Sequence, residues 1–385
     1  MNKTILFRSI PRIIMGPGTI AQLPSEIKAL KGKKALFVTD RGIISSGIFD
    51  SVTEPLRAAG IPFEVFDGVE PDPRYEIVED CISLLKKAGA DIIVGLGGGS
   101  PIDIAKSTSV LATNQAPISL YFGVDLIPNR GLPTIMIPTT AGTGSEVTPI
   151  AILSDEGEKL KKGIVSPYLF PASAILDPVL TLGLPPGITA ATGMDALIHA
   201  IEAYTSVNAS GITDMFARRA MRLLYCNLRT AFANGKNLEA REAMMEGSLL
   251  AGIAFANAGV TAVHAFAYPI GAEFHIPHGV ANTLMLPHVM RFNLIGNVEK
   301  FGDIANIFGI PSPESDHLGR AELAVTAIER LAQDLKGPTH LAQFGVKDSD
   351  LKALAEGVMK VTRLLANNPR MMTLEDAVDI YREAL

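Results

Sequence analysis

The chain has 385 residues, enough for two or three domains at roughly 150 residues each. With 48% hydrophobic and 19% charged residues it can bury a large core, which excludes wholesale disorder. Lys plus Arg is 34 against 40 Asp plus Glu, and the net charge of -6 argues against a nucleic-acid binder, which would carry a basic face. Two cysteines, Cys81 and Cys226, are too few for a disulfide framework and suggest a reducing compartment.

The stretch from Met1 to Gly16 has no long apolar core before a small-residue cleavage site, so no signal peptide is expected. Short apolar runs then alternate with helical patterns. Ala35 to Thr39 reads as a strand, Ile43 to Ala59 as a helix, and Pro62 to Phe66 as a strand. Tyr75 to Ala88 has helical spacing, with Ile77, Cys81, Leu84 and Leu85 on one stripe. Asp91 to Leu96 is an apolar strand running into glycines. Pro101 to Ala112 is helical, and Thr134 to Pro138 is another buried strand. Near-continuous apolar strands alternating with helices predict a mostly parallel sheet covered on both faces.

Beyond Pro185-Pro186 the strand signals nearly vanish. Ala190 to Tyr204, Thr213 to Phe232, Leu238 to Phe255 and Ala321 to Leu335 all show helical spacing. The expected organisation is an α/β domain over residues 1–182 and an all-helical domain over residues 183–385. Between Gly247 and Ala272 there is no Asp, Glu, Lys or Arg. A membrane span needs about 20 apolar residues. Here Asn257, His264, Tyr268, Pro269 and several glycines interrupt the run, and no Lys or Arg cluster flanks it. It reads as a buried helix or helix pair rather than a span, and its polar members then need partners.

Two loops at strand ends carry ligand-binding chemistry. Gly97-Gly98-Gly99-Ser100 lies between a strand and a helix. Glycines there allow close backbone approach, and the helix N-terminus offers N–H groups to a phosphate. A tight strand–helix turn is the plain alternative. Pro138 to Glu146, with Thr139, Thr140 and Thr143, also follows a buried strand. Two such loops on one sheet suit a dinucleotide. Asp40, ending the strand that begins at Ala35, would accept from ribose hydroxyls and repel a 2′-phosphate, favouring NAD over NADP. As a plain turn or N-cap residue it is equally open.

The helical half holds a metal constellation. Asp195 and His199 are four residues apart, so they share a helix face. His264 and His278 would be roughly 21 Å apart on one unbroken helix, but Pro269, Gly271 and Pro277 let the chain leave the helix and return. One carboxylate and three imidazoles would bind Fe²⁺ or Zn²⁺. A buried hydrogen-bonded Asp195–His199 pair is the plain alternative, and His275 could take the place of His278. His288, His317 and His340 read as non-ligands.

These stretches together resemble the iron-containing (group III) alcohol dehydrogenases. The matching segments are GGGSPIDIAK (Gly97 to Lys106), PTTAGTGSEVT (Pro138 to Thr148), ATGMDALIHAIEAY (Ala191 to Tyr204) and PHGVANTLMLPHVMRFN (Pro277 to Asn293). The likeness runs from about residue 5 to the C-terminus. It implies a Rossmann-like N-terminal domain and a helical C-terminal domain, similar to dehydroquinate synthase. It also implies metal ligands at Asp195, His199, His264 and His278. Cofactor contacts fall on Asp40, Asp72, Gly97, Gly98, Gly99, Ser100, Asp103, Thr139, Thr140, Thr143 and Lys161. Members are commonly cytoplasmic homodimers or larger homo-oligomers.

Two positions depart from the pattern. Tyr268 stands where many relatives carry a His thought to help move the proton. Asp72 stands where relatives often have Asn. Tyr also occurs in branches resembling hydroxyacid–oxoacid transhydrogenases, which keeps such an enzyme, or a 4-hydroxybutyrate-type dehydrogenase, as the alternative. The implied activity is NAD-dependent, metal-assisted oxidation of small primary alcohols or diols and reduction of the aldehydes, with no nucleic-acid or membrane partner. Tyr268 is a candidate for the proton route. Phe255 is a candidate wall of the substrate pocket, with a core role equally open. A dehydroquinate synthase-type lyase would need Lys and Arg near the metal segments, and between Gly247 and Ala281 there are none. A metal-binding structural protein without chemistry is a further alternative.

Overall fold

Neighbouring residues of a strand point to opposite faces, and here they feed two separate cores. Leu36, Val38, Ile93 and Met136 pack into one cluster. Ala35, Phe37, Ile92, Val94, Leu96, Ile135 and Ile137 pack into the other. A sheet buried on both faces must be sandwiched by helices, and the computed structural model has that form. It describes residues 4–157, 160–311 and 316–385. These divide into two compact units, Ser9–Leu184 and Pro185–Leu385, the second taking in residues 4–8.

The first unit runs β1 (Ile13–Met15), α1 (Leu23–Ala29), β2 (Ala35–Val38), α2 (Arg41–Ser45), α3 (Ile48–Ala58) and β3 (Phe63–Phe66). It continues through α4 (Ile77–Ala88), β4 (Ile92–Gly97), α5 (Gly99–Leu111), β5 (Gly123–Val124) and β6 (Thr134–Pro138). It ends with β7 (Ile150–Asp155), β8 (Leu160–Val165) and β9 (Ser173–Leu176). Six parallel strands form the main sheet in the order β1-β9-β6-β4-β2-β3. Leu23 and Ile27 of α1 and Phe49, Val52 and Leu56 of α3 cover one face. Val78, Cys81 and Leu85 of α4 and Ile102 and Ile104 of α5 cover the other. A smaller sheet, β5-β8-β7, joins an antiparallel hairpin to one short parallel strand.

From β2 the chain moves outward to β3, then returns to the other side of β2 for β4. This reversal puts the C-terminal ends of β2 and β4 side by side, with Val38 opposite Gly95. Crevices at such reversals are where doubly wound sheets bind ligands. The helix expected over Ile43 to Ala59 is instead two helices, broken at Gly47 with φ of 79°. Only a residue free to adopt that left-handed conformation ends one helix and starts the next without strain.

The second unit contains α6 (Pro186–Thr205), α7 (Gly211–Ala233), α8 (Leu238–Ala258), α9 (Ala262–Phe274) and α10 (His278–Asn293). It closes with α11 (Val298–Phe308), α12 (His317–Asp334), α13 (Leu351–Lys360), α14 (Thr362–Leu365) and α15 (Leu374–Ala384). No strand occurs among its described residues. The uncharged stretch from Gly247 to Ala272 forms the end of α8 and most of α9, bent by 102°. Gly259, with φ of 76°, makes the corner, and a Cβ there would lie 2.4 Å from Asn367 Nδ2. Among the described residues no single helix is long and apolar enough to cross a membrane.

Candidate active site

The metal constellation lies within the helical unit. Asp195 and His199 come from α6, His264 from the first turn of α9 and His278 from the first residue of α10. Pro269 stays inside α9 rather than ending it. The break comes later, at His275, whose φ of 53° turns the chain, and Pro277 precedes α10. His264 and His278 therefore sit on two different helices, which removes the length objection to one shared site. His275 is exposed, so the structure brings His278 to the site and not its neighbour.

Ligand atoms of Asp195, His199 and His264 all lie within 4.8 Å of one another, and all three residues are buried. His264 Nε2 is 3.0 Å from His199 Nε2 and 3.7 Å from Asp195 Oδ1. His278 Nε2 is 3.8 Å from the same oxygen. Four donors about 2.1 Å from a tetrahedral ion would stand roughly 3.4 Å apart; Asp195, His199 and His264 form a group compact enough for one small cation, and His278 approaches it on the Asp195 side. Burial alone would raise the Asp195 pKa. His199, His278 and His264, with a hydrogen bond from Asn282, outweigh it and hold the carboxyl below its usual range.

The outer partners complete the arrangement. Glu202, seven residues after Asp195 on α6, meets His264 Nδ1 through Oε2. Its Oε1 accepts from the Thr261 hydroxyl and the Val263 N–H, each at 2.7 Å. Asn282 Nδ2 donates to Asp195 Oδ1 at 2.8 Å and lies 3.2 Å from His278 Nε2. Neither Glu202 nor Asn282 is among the residues expected from the sequence. The readable signals were a buried carboxylate three residues after His199 and a polar residue one turn after His278, each on a ligand's helix face. Phe255 stacks on His199 with ring centroids 4.4 Å apart, and the Tyr268 ring centroid is 6.0 Å from that of His278.

The glycine turn lies within the α/β unit. Gly97 ends β4 with φ of 145°, and a Cβ there would lie 2.7 Å from Pro101 Cγ. The same Cβ would be 3.5 Å from Asp40 Oδ2, so the carboxylate that follows β2 borders the turn that follows β4. Asp40 also caps α2, accepting from the Ile43 N–H at 3.0 Å. Gly98 precedes α5, whose N-terminus has no side-chain cap, so its first-turn N–H groups suit an anion. The second loop closes over the first. The Thr139 N–H donates to the Gly97 carbonyl at 2.9 Å, and Thr140 and Thr143 side chains flank Gly98 and Gly99. Ser100 sits in the first turn of α5.

Three expected cofactor residues have other partners. Asp103 accepts from the Ser145 hydroxyl and from the Ile152 N–H, and pairs with Lys106 Nζ at 3.2 Å. It ties α5 to the segment around β7. On the rim of the smaller sheet, Lys161 Nζ lies 2.6 Å from Asp72 Oδ1. Asp72 has φ of 50°, a conformation in which Asn and Asp are the usual non-glycine occupants.

Lys106, which the sequence reading left without a role, is fully buried and donates to the Ser145 carbonyl and hydroxyl, at 3.0 and 2.6 Å, and to the Ile150 carbonyl. Burial pushes its ammonium pKa down, against Asp103 and Glu146. Lys106→Met should cost about 3 kcal/mol of stability, because buried acceptors and Asp103 lose their cation. The check is the denaturation midpoint of the α/β unit; a midpoint equal to the native protein's would remove the structural role.

Known proteins resemble this chain over both units. Residues 11–178 match the iron-containing alcohol dehydrogenase profile, and residues 189–385 match the C-terminal profile of the Fe-containing alcohol dehydrogenase family. The chain is 45% identical over 378 residues to the 1,3-propanediol dehydrogenase of Citrobacter freundii, covering 97% of each. It is 42% identical over 364 residues to the sulfoacetaldehyde reductase of Bilophila wadsworthia, covering 94% of each. A crystal structure of a 1,3-propanediol oxidoreductase is 42% identical, with a TM-score of 0.97 over 100% of both chains. A sulfoacetaldehyde reductase from Bifidobacterium kashiwanohense in complex with NAD+ is 30% identical, with a TM-score of 0.90 over 100% of this chain and 99% of that one. The four-residue cluster, the glycine turn and these likenesses agree: the chain belongs to the iron-containing alcohol dehydrogenase family and is an oxidoreductase acting on CH–OH groups.

Proposed function

We propose that the protein exchanges a hydride between small primary alcohols or diols and NAD, with a divalent cation, Fe²⁺ or Zn²⁺, at Asp195, His199, His264 and His278. The convergence of buried carboxylate and imidazole donors carries this reading. Lone pairs held 3.0 to 3.8 Å apart repel unless a proton or cation lies among them. When bound, the cation supplies Lewis acidity to the alcohol oxygen and NAD accepts the hydride.

The protein's own groups do the rest. Asp195 contributes the one negative charge of the ligand set and is held ionised by its neighbours. Phe255 and the apolar body of α8 keep water from one side of His199. Tyr268, beside His278, is the residue assigned to the proton's path. Gly97 to Ser100 with Thr139, Thr140 and Thr143 would hold the dinucleotide, and Asp40 its ribose. Lys161 and Asp72, which pair with each other, join this set on the family resemblance. A diol substrate is supported by the propanediol dehydrogenase relatives. A homodimer or larger assembly and a cytoplasmic setting belong to this reading on the family resemblance alone.

The test is an alcohol and aldehyde panel with NAD(H), on protein reconstituted anaerobically with each metal. NADH formation from 1,3-propanediol or a short primary alcohol is the expected result. No turnover with any metal would end the proposal. The cofactor choice has its own check. The native protein should prefer NAD, and Asp40→Gly should move the NAD to NADP ratio of kcat/KM by roughly tenfold toward NADP, about the worth of one charged contact. A native preference for NADP would remove the ribose role of Asp40.

A further inference from the structure

We infer that Glu202 is a positioning residue that fixes which nitrogen of His264 faces the metal site. This rests on the metal-site reading above. Glu202 is 1% exposed, Thr261 1% and His264 2%, so solvent does not compete for these groups. Each Glu202 oxygen has a separate task. Oε1 takes the Thr261 hydroxyl and the Val263 N–H, at the start of α9. Thr261 itself gives that helix no side-chain cap, so Glu202 caps α9 from α6. A carboxylate at the positive end of a helix is held as an anion. Oε2 meets His264 Nδ1. An anion can only accept, so Nδ1 must carry a proton, and in the neutral ring that a cation requires Nε2 keeps its lone pair. Nε2 is the atom that lies 3.0 Å from His199 and 3.7 Å from Asp195. One carboxylate thus sets both the start of α9 and the tautomer of the imidazole two residues into it, the outer-partner arrangement common around metal-ligating His.

A cap and a tautomer lock can be separated. Glu202→Gln keeps the shape. The amide oxygen must stay on the Val263 N–H, because an NH₂ group there would meet a donor. The NH₂ group then faces His264 Nδ1 and demands a lone pair from it. The proton moves to Nε2, the wrong nitrogen for a ligand. Thr261→Val does the reverse: it weakens the cap and leaves the His264 contact.

The experiment measures cation affinity of the full chain by anaerobic Co²⁺ titration, read from the d–d absorption, and by Zn²⁺ chelator competition. Apo-protein melting and NAD binding are recorded alongside. Glu202→Gln should weaken both cations by roughly 10- to 100-fold while apo melting and NAD binding stay at the native values. Thr261→Val should lower the apo melting point and keep native affinity. A loss of less than tenfold in Glu202→Gln, or an equal loss in Thr261→Val, overturns the inference. If Glu202→Gln does not fold, ¹⁵N-histidine spectra of the Zn²⁺-loaded native protein decide: a His264 proton on Nδ1 supports the assignment and one on Nε2 overturns it. Failure of the native protein to bind either cation would instead overturn the metal-site reading.

Discussion

His264→Ala should lose the cation and nearly all turnover while keeping its hold on NAD. Among the imidazoles, His264 supplies the nitrogen nearest Asp195, at 3.7 Å, and it lies 3.0 Å from His199. Its removal leaves donors from α6 and α10 alone. Lewis-acid stabilisation is worth several kcal/mol, so kcat/KM should fall by roughly 10³-fold or more. Metal content measured after gel filtration should drop from near one equivalent to below a tenth. NAD affinity should stay within about twofold, since the glycine turn and its threonines are built from α/β-unit residues alone. The substitution also leaves Glu202 Oε2 without its imidazole, although Oε1 keeps two hydrogen bonds. Some loss of melting temperature is therefore expected, and the comparison must be made on folded protein. A variant that retained its metal and a tenth of native turnover would sink the ligand assignment.

The sequence was most readable where one residue property had one cause. β2, β4 and β6 are continuous apolar runs because both faces are buried, and their positions were plain. β1 is only three residues long, too short for a periodic signal, and β9 is bracketed by Pro171 and Pro178, which read as loop. The β7–β8 hairpin escaped because it is half exposed and carries Lys161 and Lys162 in one strand and Asp155 in the other. Asp195 and His199 could be read because four-residue spacing is a property of one helix. That they meet His264 and His278 depends on the corners at Gly259 and His275, which no local pattern reports. Asp103 shows the same limit: its place just after the glycine turn is legible, but its bonds to Ser145, Ile152 and Lys106 join segments distant in the chain.

Gly98→Ala should weaken NAD binding without harming the fold, and the three glycines of the turn are unequal in this respect. Gly97 combines φ of 145° with a Cβ position 2.7 Å from Pro101 Cγ, so alanine there strains the backbone and collides. A Cβ on Gly99 would lie 2.9 Å from Thr143 Cγ2 and would push the second loop away. Gly98 has φ of -78°, which any residue adopts, and its nearest neighbour to a new Cβ is Thr140 Oγ1 at 3.7 Å, an ordinary contact. Its methyl group would stand beside the uncapped N-terminus of α5, where the pyrophosphate is proposed to lie. Close approach of backbone to phosphate is what a side chain forbids. The expected loss is roughly 10- to 100-fold in NAD affinity, or about 1.4 to 2.7 kcal/mol, with a melting point within about 2 °C of native. Metal affinity should be unchanged, because the four ligands belong to the helical unit. Calorimetric titration of NAD into both proteins measures the difference. Native affinity in Gly98→Ala would show that the glycine turn closes the strand–helix connection only, and that the dinucleotide binds elsewhere.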